Sequence, residues 1–385
     1  MSFGGPRRLS RRLVVQFARL PVVGVKLIEH YLRRRYGRRV VTPGKARNFL
    51  EAKRDLFRGA ATTSSLPYIL NLDLFNGCNL KCPFCATGTN QHERDKARMP
   101  LATARRVLDL VQDHALEVRL YNWGEPFLND DVFEVVRYAR ERGLHTVINS
   151  NLSLRVRDLA ERVVASGLDV LQVSLDGLRQ ETLQVYRRRG DLRLVFDNVR
   201  AIAAERAKRG VPHPRLDIAF LVFRHNEHEI GELEAVRREL GADRLFPRRA
   251  FIYERDWVPA HPRFQPLGAL FRDRCDYLYT ELTVEATGAV SPCCTNTSAK
   301  WDIGTVADVE DLPRFWNGEA MRAMRSFEAG GAAGGKSPVL CQFCGLVGRN
   351  GARPAGALSP LPPALVAAGK AYDTGAGDLL ARVAR

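Results

Sequence analysis

The chain has 385 residues, of which 45% are hydrophobic and 26% charged, so it is neither fibrous nor disordered and is long enough for one large domain plus a smaller one. Its net charge is +16, but residues 1–40 hold eleven Lys/Arg against one acid, Glu29, whereas the other 345 residues carry 48 Lys/Arg and 42 Asp/Glu. The body is therefore not a strongly basic domain, and no specific nucleic-acid binding is expected.

The basic arm comes first. Ser10-Arg11-Arg12-Leu13-Val14-Val15 approaches a twin-arginine export signal, but Arg19, Pro21 and Lys26 break the apolar run and no small-residue cleavage site follows. The same breaks exclude a transmembrane helix, which needs roughly 20 mostly apolar residues. Two readings stay open for residues 7–39. One is a segment lying on anionic lipid. The other is a pair of basic amphipathic helices packed on the domain. The expected location is cytoplasmic, at most peripheral on the inner face of the membrane.

Residues 41–66 read as helix and then linker, ending near Ala60-Ala-Thr-Thr-Ser-Ser65. From Pro67 short apolar runs alternate with helical stretches. The predicted strands are Tyr68–Leu74, Glu117–Tyr121, Thr146–Asn149, Val170–Ser174, Leu216–Phe223 and Arg244–Pro247. The predicted helices are Leu101–His114, Asp131–Arg142, Arg155–Ser166, Gln180–Arg188 with Leu192–Arg209, and Glu227–Leu240. Strand alternating with helix at this spacing implies parallel βα units, six of them, too few for a closed eight-stranded barrel. After residue 250 the rhythm breaks. A hairpin is expected from Glu281–Val284 and Val290–Pro292 around Gly288, and residues 351–385 are an Ala/Gly/Pro-rich tail.

Eight cysteines fall into two groups, which points to metal or cluster ligands and not to the disulfide framework of a small secreted domain. Cys78, Cys82 and Cys85 form C-x3-C-x2-C just after the first predicted strand, with Phe84 before the last cysteine. Three thiolates hold three corners of a four-iron cluster and leave the fourth iron open to a ligand. The motif resembles the cluster loop of the radical S-adenosylmethionine (SAM) superfamily. The resemblance implies an α/β fold, a partial (β/α)6 barrel open on one side. It also implies a 4Fe-4S cluster that binds SAM and cleaves it to a 5′-deoxyadenosyl radical, which takes a hydrogen atom from a substrate. An electron donor such as flavodoxin or ferredoxin is implied as a partner.

Further turns carry the same resemblance. Trp123-Gly124-Glu125-Pro126 follows the second strand and is similar to the family's Gly-Gly-Glu motif, which binds the SAM amino group; Trp123 stands where the family has glycine. Asn149-Ser150-Asn151 resembles the polar turn after the third strand. Ser174-Leu-Asp176-Gly177 resembles the segment that meets the SAM ribose and carboxylate. Tyr186-Arg187-Arg-Arg-Gly190 resembles a Tyr-Arg-x-x-Gly stretch whose arginine, Arg187 here, pairs with the SAM carboxylate. For Asp176 a turn cap, and for Arg187 a solvated basic helix face, are equal alternatives.

The second group is Cys275-x12-Gly288-x4-Cys293, Cys294, and then Cys341-x2-Cys344. It resembles the auxiliary-cluster domain called SPASM, in its shorter twitch form. That implies one auxiliary 4Fe-4S cluster on Cys275, Cys293, Cys341 and Cys344. The Gly288 spacing selects Cys293 over Cys294 without excluding a swap, and four cysteines also suit a structural zinc. The resulting organisation is a basic extension (1–66), a barrel (67–250), an auxiliary-cluster domain (251–350) and a tail (351–385). Gly330 to Ser337 matches the phosphate-loop pattern, but a helix precedes it and Pro338 follows, the wrong context for holding phosphates.

The expected function is a radical SAM oxidoreductase acting on a small, phosphorylated or lipid-linked molecule. A peptide maturase is the first alternative; a non-enzymatic metal-binding module at a membrane surface is the second. Tyr253, Glu254, Asp256 and Arg248 follow the last strand, where barrel chemistry sits, but none is singled out as a base.

Overall fold

A computed structural model describes residues 21–266, 274–330 and 340–344. The arm before Pro21, the glycine-rich stretch 331–339 and the tail 351–385 lie outside the described residues.

Two helices precede the first strand: α1 (Pro21–Tyr36) and α2 (Pro43–Arg58). Thr42 caps α2, its side chain accepting from the Lys45 amide at 3.2 Å, and Gly59 ends it in the left-handed conformation. Ile28, Leu32 and Tyr36 of α1 pack with Phe49 and Leu50 of α2 onto Tyr68, Ile69 and Leu116. The ring of Tyr36 meets His145 edge-on at 5.3 Å, and Lys45 donates to the Gly143 carbonyl at 2.9 Å. The two helices thus close the N-terminal end of the strands. Residues 21–36 of the basic arm pack on the domain through one face and expose Lys26, Leu27, Arg33 and Arg34 on the other. None of the described helices is long and apolar enough to cross a membrane.

The strands are β1 (Ile69–Leu72), β2 (Glu117–Arg119), β3 (His145–Ser150), β4 (Val170–Ser174), β5 (Arg215–Val222) and β6 (Arg244–Arg249). Each pairs in parallel with its sequence neighbour. Between them run α3 (Leu101–Val111), α4 (Val132–Glu141), α5 (Leu159–Ala165), α6 (Gln180–Tyr186), α7 (Leu192–Lys208) and α8 (Leu233–Glu239). All six predicted strands form. The predicted helix at 155–166 begins only at Leu159, after Asp158 at φ +52, and the one at 227–240 opens as a 3-10 turn, Glu227–Glu232.

The C-terminal part enters the same sheet. After the short α9 (Tyr277–Thr280), β7 (Glu281–Val284) pairs in parallel with β1, and β8 (Ala289–Ser291) and β9 (Gly304–Thr305) follow antiparallel. The order is β6-β5-β4-β3-β2-β1-β7-β8-β9. Gly288, at φ +83, makes the β7–β8 turn. The helices α10 (Leu312–Trp316) and α11 (Glu319–Glu328) follow among the described residues.

Side chains alternate along each strand. Leu70, Leu72, Val118, Ile148, Leu171, Val173 and Ile218 pack outward against the helices in the main core. Asn71, Glu117, Arg119, Gln172 and Glu281 occupy the other face, the lumen. There Arg119 bonds Glu117 at 2.7 Å and Glu281 at 3.0 Å, and Asn71 donates to Glu281 at 2.9 Å. The inward face is thus lined by a buried, mutually paired polar network and not by a hydrophobic plug.

Candidate active site between two cysteine groups

The first cysteine loop leaves the C-terminal end of β1 and interlocks with the Trp123–Glu125 turn after β2. The Glu125 amide donates to the Gly77 carbonyl at 2.9 Å. A Cβ on Gly124 would sit 1.6 Å from the Phe75 carbonyl oxygen, so only glycine fits there. Glu125 itself is buried. It accepts from the Asn151 amide at 2.9 Å, the Ser150 hydroxyl at 2.8 Å and the Phe127 amide at 3.2 Å. Burial pushes its carboxyl up to about 7 despite these donors. The carboxylate thus ties the β2 turn to the end of β3.

The other predicted residues gather around the sulfurs. Asn151 reaches Cys78 Sγ at 3.8 Å and Asn79 at 3.0 Å. Asp176 is fully buried, accepts from the Leu221 amide at 2.8 Å and takes Arg187 Nε at 2.5 Å. It therefore ties β4 to β5 and pairs with Arg187, and it does not cap its own turn. Arg187 continues to Cys82 Sγ at 3.9 Å. Burial opposes the Arg187 charge, but Asp176, Cys82 and Tyr186 hold its pKa above the ordinary value. Ser174 stands slightly apart, donating to Asn149 Oδ1 at 3.0 Å. The solvated-face alternative for Arg187 is not what the structure shows.

Burial pushes the Cys78 thiol up to about 11 and the Cys82 thiol up to about 12. Thiols in such a place ionise when a bound cation compensates them. The surroundings suit a sulfur-bound anionic cluster: an amide N–H donor and a guanidinium are directed at sulfur, and the loop supplies three cysteines. Among the described residues, no three or more Cys, His, Asp or Glu converge as a site for a single metal ion.

The second group brackets the β7–β8 hairpin. Cys275 precedes α9, Cys293 and Cys294 follow β8, and Cys341 and Cys344 share a short turn in which the Cys344 amide donates to the Cys341 carbonyl at 3.3 Å. Burial raises the Cys275 thiol first of all, and the neighbouring Cys293, Cys341 and Cys344 raise it further. Hydrogen bonds from Cys294 and Thr295 lower Cys293. The hydrogen bond to Cys293 and burial raise Cys294; Glu281 acts on both cysteines, and Arg119 is a further neighbour of Cys294.

Sequence reasoning missed a buried cluster between the groups. Arg94, from the loop after Cys85, clasps Asp302 at 2.5 and 2.6 Å and lies 3.8 Å from Glu285. Asp73, at the end of β1, faces the same guanidinium. Glu285 is fully buried, with Asn122 as its polar neighbour and, among the described residues, no close ion pair. The only signal was register: Asp73 and Glu285 continue the inward-facing alternation of β1 and β7, whereas nothing in the sequence marks Arg94.

Residues 72–235 match the Radical SAM superfamily, and residues 275–345 match SPASM, an iron–sulfur cluster-binding domain. An AdoMet-dependent heme synthase of Methanosarcina barkeri is 28% identical over 179 residues, 46% of this chain and 49% of that protein. A PqqA peptide cyclase of Ruegeria pomeroyi is 31% identical over 184 residues, 48% and 47% of the two. The chain thus spans about half the length of these curated relatives. The crystal structure of Streptococcus suis SuiB bound to S-adenosylmethionine superposes with a TM-score of 0.58 at 15% identity, covering 84% of this chain and 85% of that one. Native anSMEcpe with bound AdoMet gives 0.50 at 16% identity, covering 83% and 99%; these two likenesses speak for the fold alone. Both domain matches, in their order along the chain and on this sheet, identify the chain as a member of the radical SAM superfamily with a C-terminal SPASM domain, and hence with a SAM-binding 4Fe-4S cluster and auxiliary iron–sulfur binding.

Proposed function

We propose that this chain removes a hydrogen atom from an anionic substrate held in the lumen between its two cysteine groups. Cys78, Cys82 and Cys85 hold the SAM-binding cluster. Cys275, Cys293, Cys341 and Cys344 hold one auxiliary cluster, and Cys294 faces the substrate chamber. Bound SAM and its cluster supply the 5′-deoxyadenosyl radical when an electron arrives from a flavodoxin or ferredoxin.

The protein's own residues do the positioning. Gly124, by its lack of a side chain, lets the backbone close over the cysteine loop. Glu125 locks that turn to Ser150 and Asn151. Arg187, fixed by buried Asp176, presents its charge beside Cys82 and suits a carboxylate by its fork geometry. Ser174 supplies a hydroxyl at the end of β4. The carrying observation is that the two cysteine groups flank one charged lumen. Arg248 feels Asp176 on the SAM side and Tyr277 on the auxiliary side. Burial lowers its pKa while Tyr121, Tyr277 and Asp176 oppose that, and its charge adds to the positive side of the lumen. This supports a carboxylate- or phosphate-bearing small or lipid-linked substrate, and α1 presents Lys26, Leu27, Arg33 and Arg34 to solvent as a surface for anionic lipid.

A peptide substrate is the second reading. It is favoured by the likeness to the PqqA peptide cyclases. Anaerobic reconstitution tests the common core: iron for two 4Fe-4S clusters and reductive formation of 5′-deoxyadenosine support it, and zinc loading without SAM cleavage defeats it. Deuterium transfer into 5′-deoxyadenosine from labelled anionic small molecules or from a labelled precursor peptide decides between the substrates.

A further inference from the structure

Trp123 stands where the family pattern has a glycine, and its side chain is not idle. The indole Nε1 donates to the Asn296 carbonyl at 3.2 Å, across 173 residues of chain. Asn296 lies three residues after Cys293. With its amide oriented to satisfy both ends, Asn122 donates to the Cys294 carbonyl at 3.0 Å and accepts from the Trp123 indole at 3.2 Å. The dipeptide Asn122-Trp123 therefore grips the auxiliary-cysteine loop at two carbonyls. The next residue is Gly124, jammed against Phe75 in the first cysteine loop. The backbone amides of Trp123 and Gly124 also point to Asp73.

The far side of the grip is equally anchored. Asn296 donates to Ser291 at 2.9 Å and Asp302 at 3.4 Å. Asp302 is clasped by Arg94, which belongs to the first cysteine loop's continuation. His92 of that continuation meets the Trp123 ring edge-on at 5.8 Å. The result is a closed circuit of partly buried contacts: first cysteine loop, Gly124 turn, Trp123, auxiliary-cysteine loop, Arg94, and back. A glycine at position 123 would open it.

We propose that Trp123 is a positioning residue that couples the two cysteine groups, so that an occupied auxiliary site strengthens SAM binding at the first site. This rests on the functional reading given above for the two groups. Occupancy at Cys275, Cys293, Cys341 and Cys344 fixes the 293–296 loop. The fixed loop holds the indole, and the indole holds the turn that carries Gly124. By linkage, SAM binding must in turn steady the auxiliary loop.

A double-mutant cycle on the anaerobically reconstituted full chain tests this, with SAM affinity read by calorimetry. Removal of one buried hydrogen bond gives about a fivefold effect, so W123F and C341A are each expected to weaken SAM binding about fivefold. The double variant is expected to be no weaker than either single one. SAM addition should also alter the electron paramagnetic resonance line shape of the auxiliary cluster in the wild type and not in W123F, a change that a merely structural role would not abolish. Equal SAM affinity in W123F and wild type, or additive losses in the double variant, overturns the coupling. Should W123F fail to load its first cluster, Asn122→Ala replaces it in the cycle, since it loosens the grip while leaving the indole in place; additivity there overturns the coupling as well. A wild type that binds no SAM defeats the functional reading instead, and the two failures are thereby distinguished.

Discussion

Gly124 and Arg187 show two ways in which a single residue constrains this site. Gly124 is needed for space: its backbone passes so close to Phe75 that a methyl group displaces main chain, not a movable side chain. Gly124→Ala is therefore expected to lose the first cluster's iron while the SPASM part keeps its own, as measured by iron content against the C341A variant. Arg187 is needed for charge. Asp176 has no exposed surface and its carboxyl is raised by burial even beside the guanidinium. Removing Arg187 strands a buried carboxylate, a change that costs about 3–5 kcal/mol when one partner of a buried pair is lost. R187M should show that loss in urea unfolding, and R187M/D176N should recover most of it while SAM affinity stays low. Recovery of SAM affinity in the double variant would show that Arg187 serves only Asp176. Motif resemblance pointed to both residues. It could not show that Glu125 is spent internally on Ser150 and Asn151, because that depends on where β2 and β3 end relative to each other.

Among the elements, β1 to β6 were legible because each strand is short, apolar on its outward face and separated from the next by an amphipathic helix. The pairing of β1 with β7 was not, since 208 residues separate Leu72 from Glu281 and no local pattern encodes a partner so far away. The hairpin around Gly288 was visible; its attachment to the barrel edge was not. That attachment has an energetic signature in the lumen. Arg119 shares its charge between Glu117 on its own strand and Glu281 on β7. Burial alone would lower the Arg119 pKa, but the two carboxylates hold it well above its ordinary value. Glu281→Ala removes one carboxylate and the Asn71 contact together, so a destabilisation of about 3 kcal/mol is expected in urea unfolding. The loss should be accompanied by faster hydrogen exchange in β7 and β8 than in β4 and β5. Uniform exchange across the sheet would mean that β7 is held by its helices and not by this ion pair.

For the molecule as a whole, the buried cluster of Asp73, Arg94, Glu285 and Asp302 sits where the barrel, the cysteine loop and the SPASM part meet. Three carboxylates surround one guanidinium there, and Asn122 is the neutral neighbour of Glu285. Arg94 is clasped by Asp302, which leaves Asp73 and Glu285 without a full counter-charge. Burial raises both of their pKa values above the ordinary carboxylate range. The folded protein therefore binds protons here that the unfolded chain has already released. Stability from this cluster is full below the unfolded carboxylate pKa values of about 4 and falls as pH rises through the raised folded values. Urea unfolding of the wild type should accordingly lose stability between pH 5 and 8, on the order of 2 kcal/mol from this source. Glu285→Gln keeps the shape and removes one titrating group, so it should flatten that slope and leave the variant more stable than the wild type at pH 8. An unchanged slope in E285Q would mean that Glu285 stays ionised in the folded state, with Arg94 serving it as well as Asp302. The same junction joins the segment after the first cysteine loop, through Arg94 and Asp302, to Asn296 of the 293–298 loop, so the pH at which it ionises should also be the pH at which hydrogen exchange in that loop begins to accelerate.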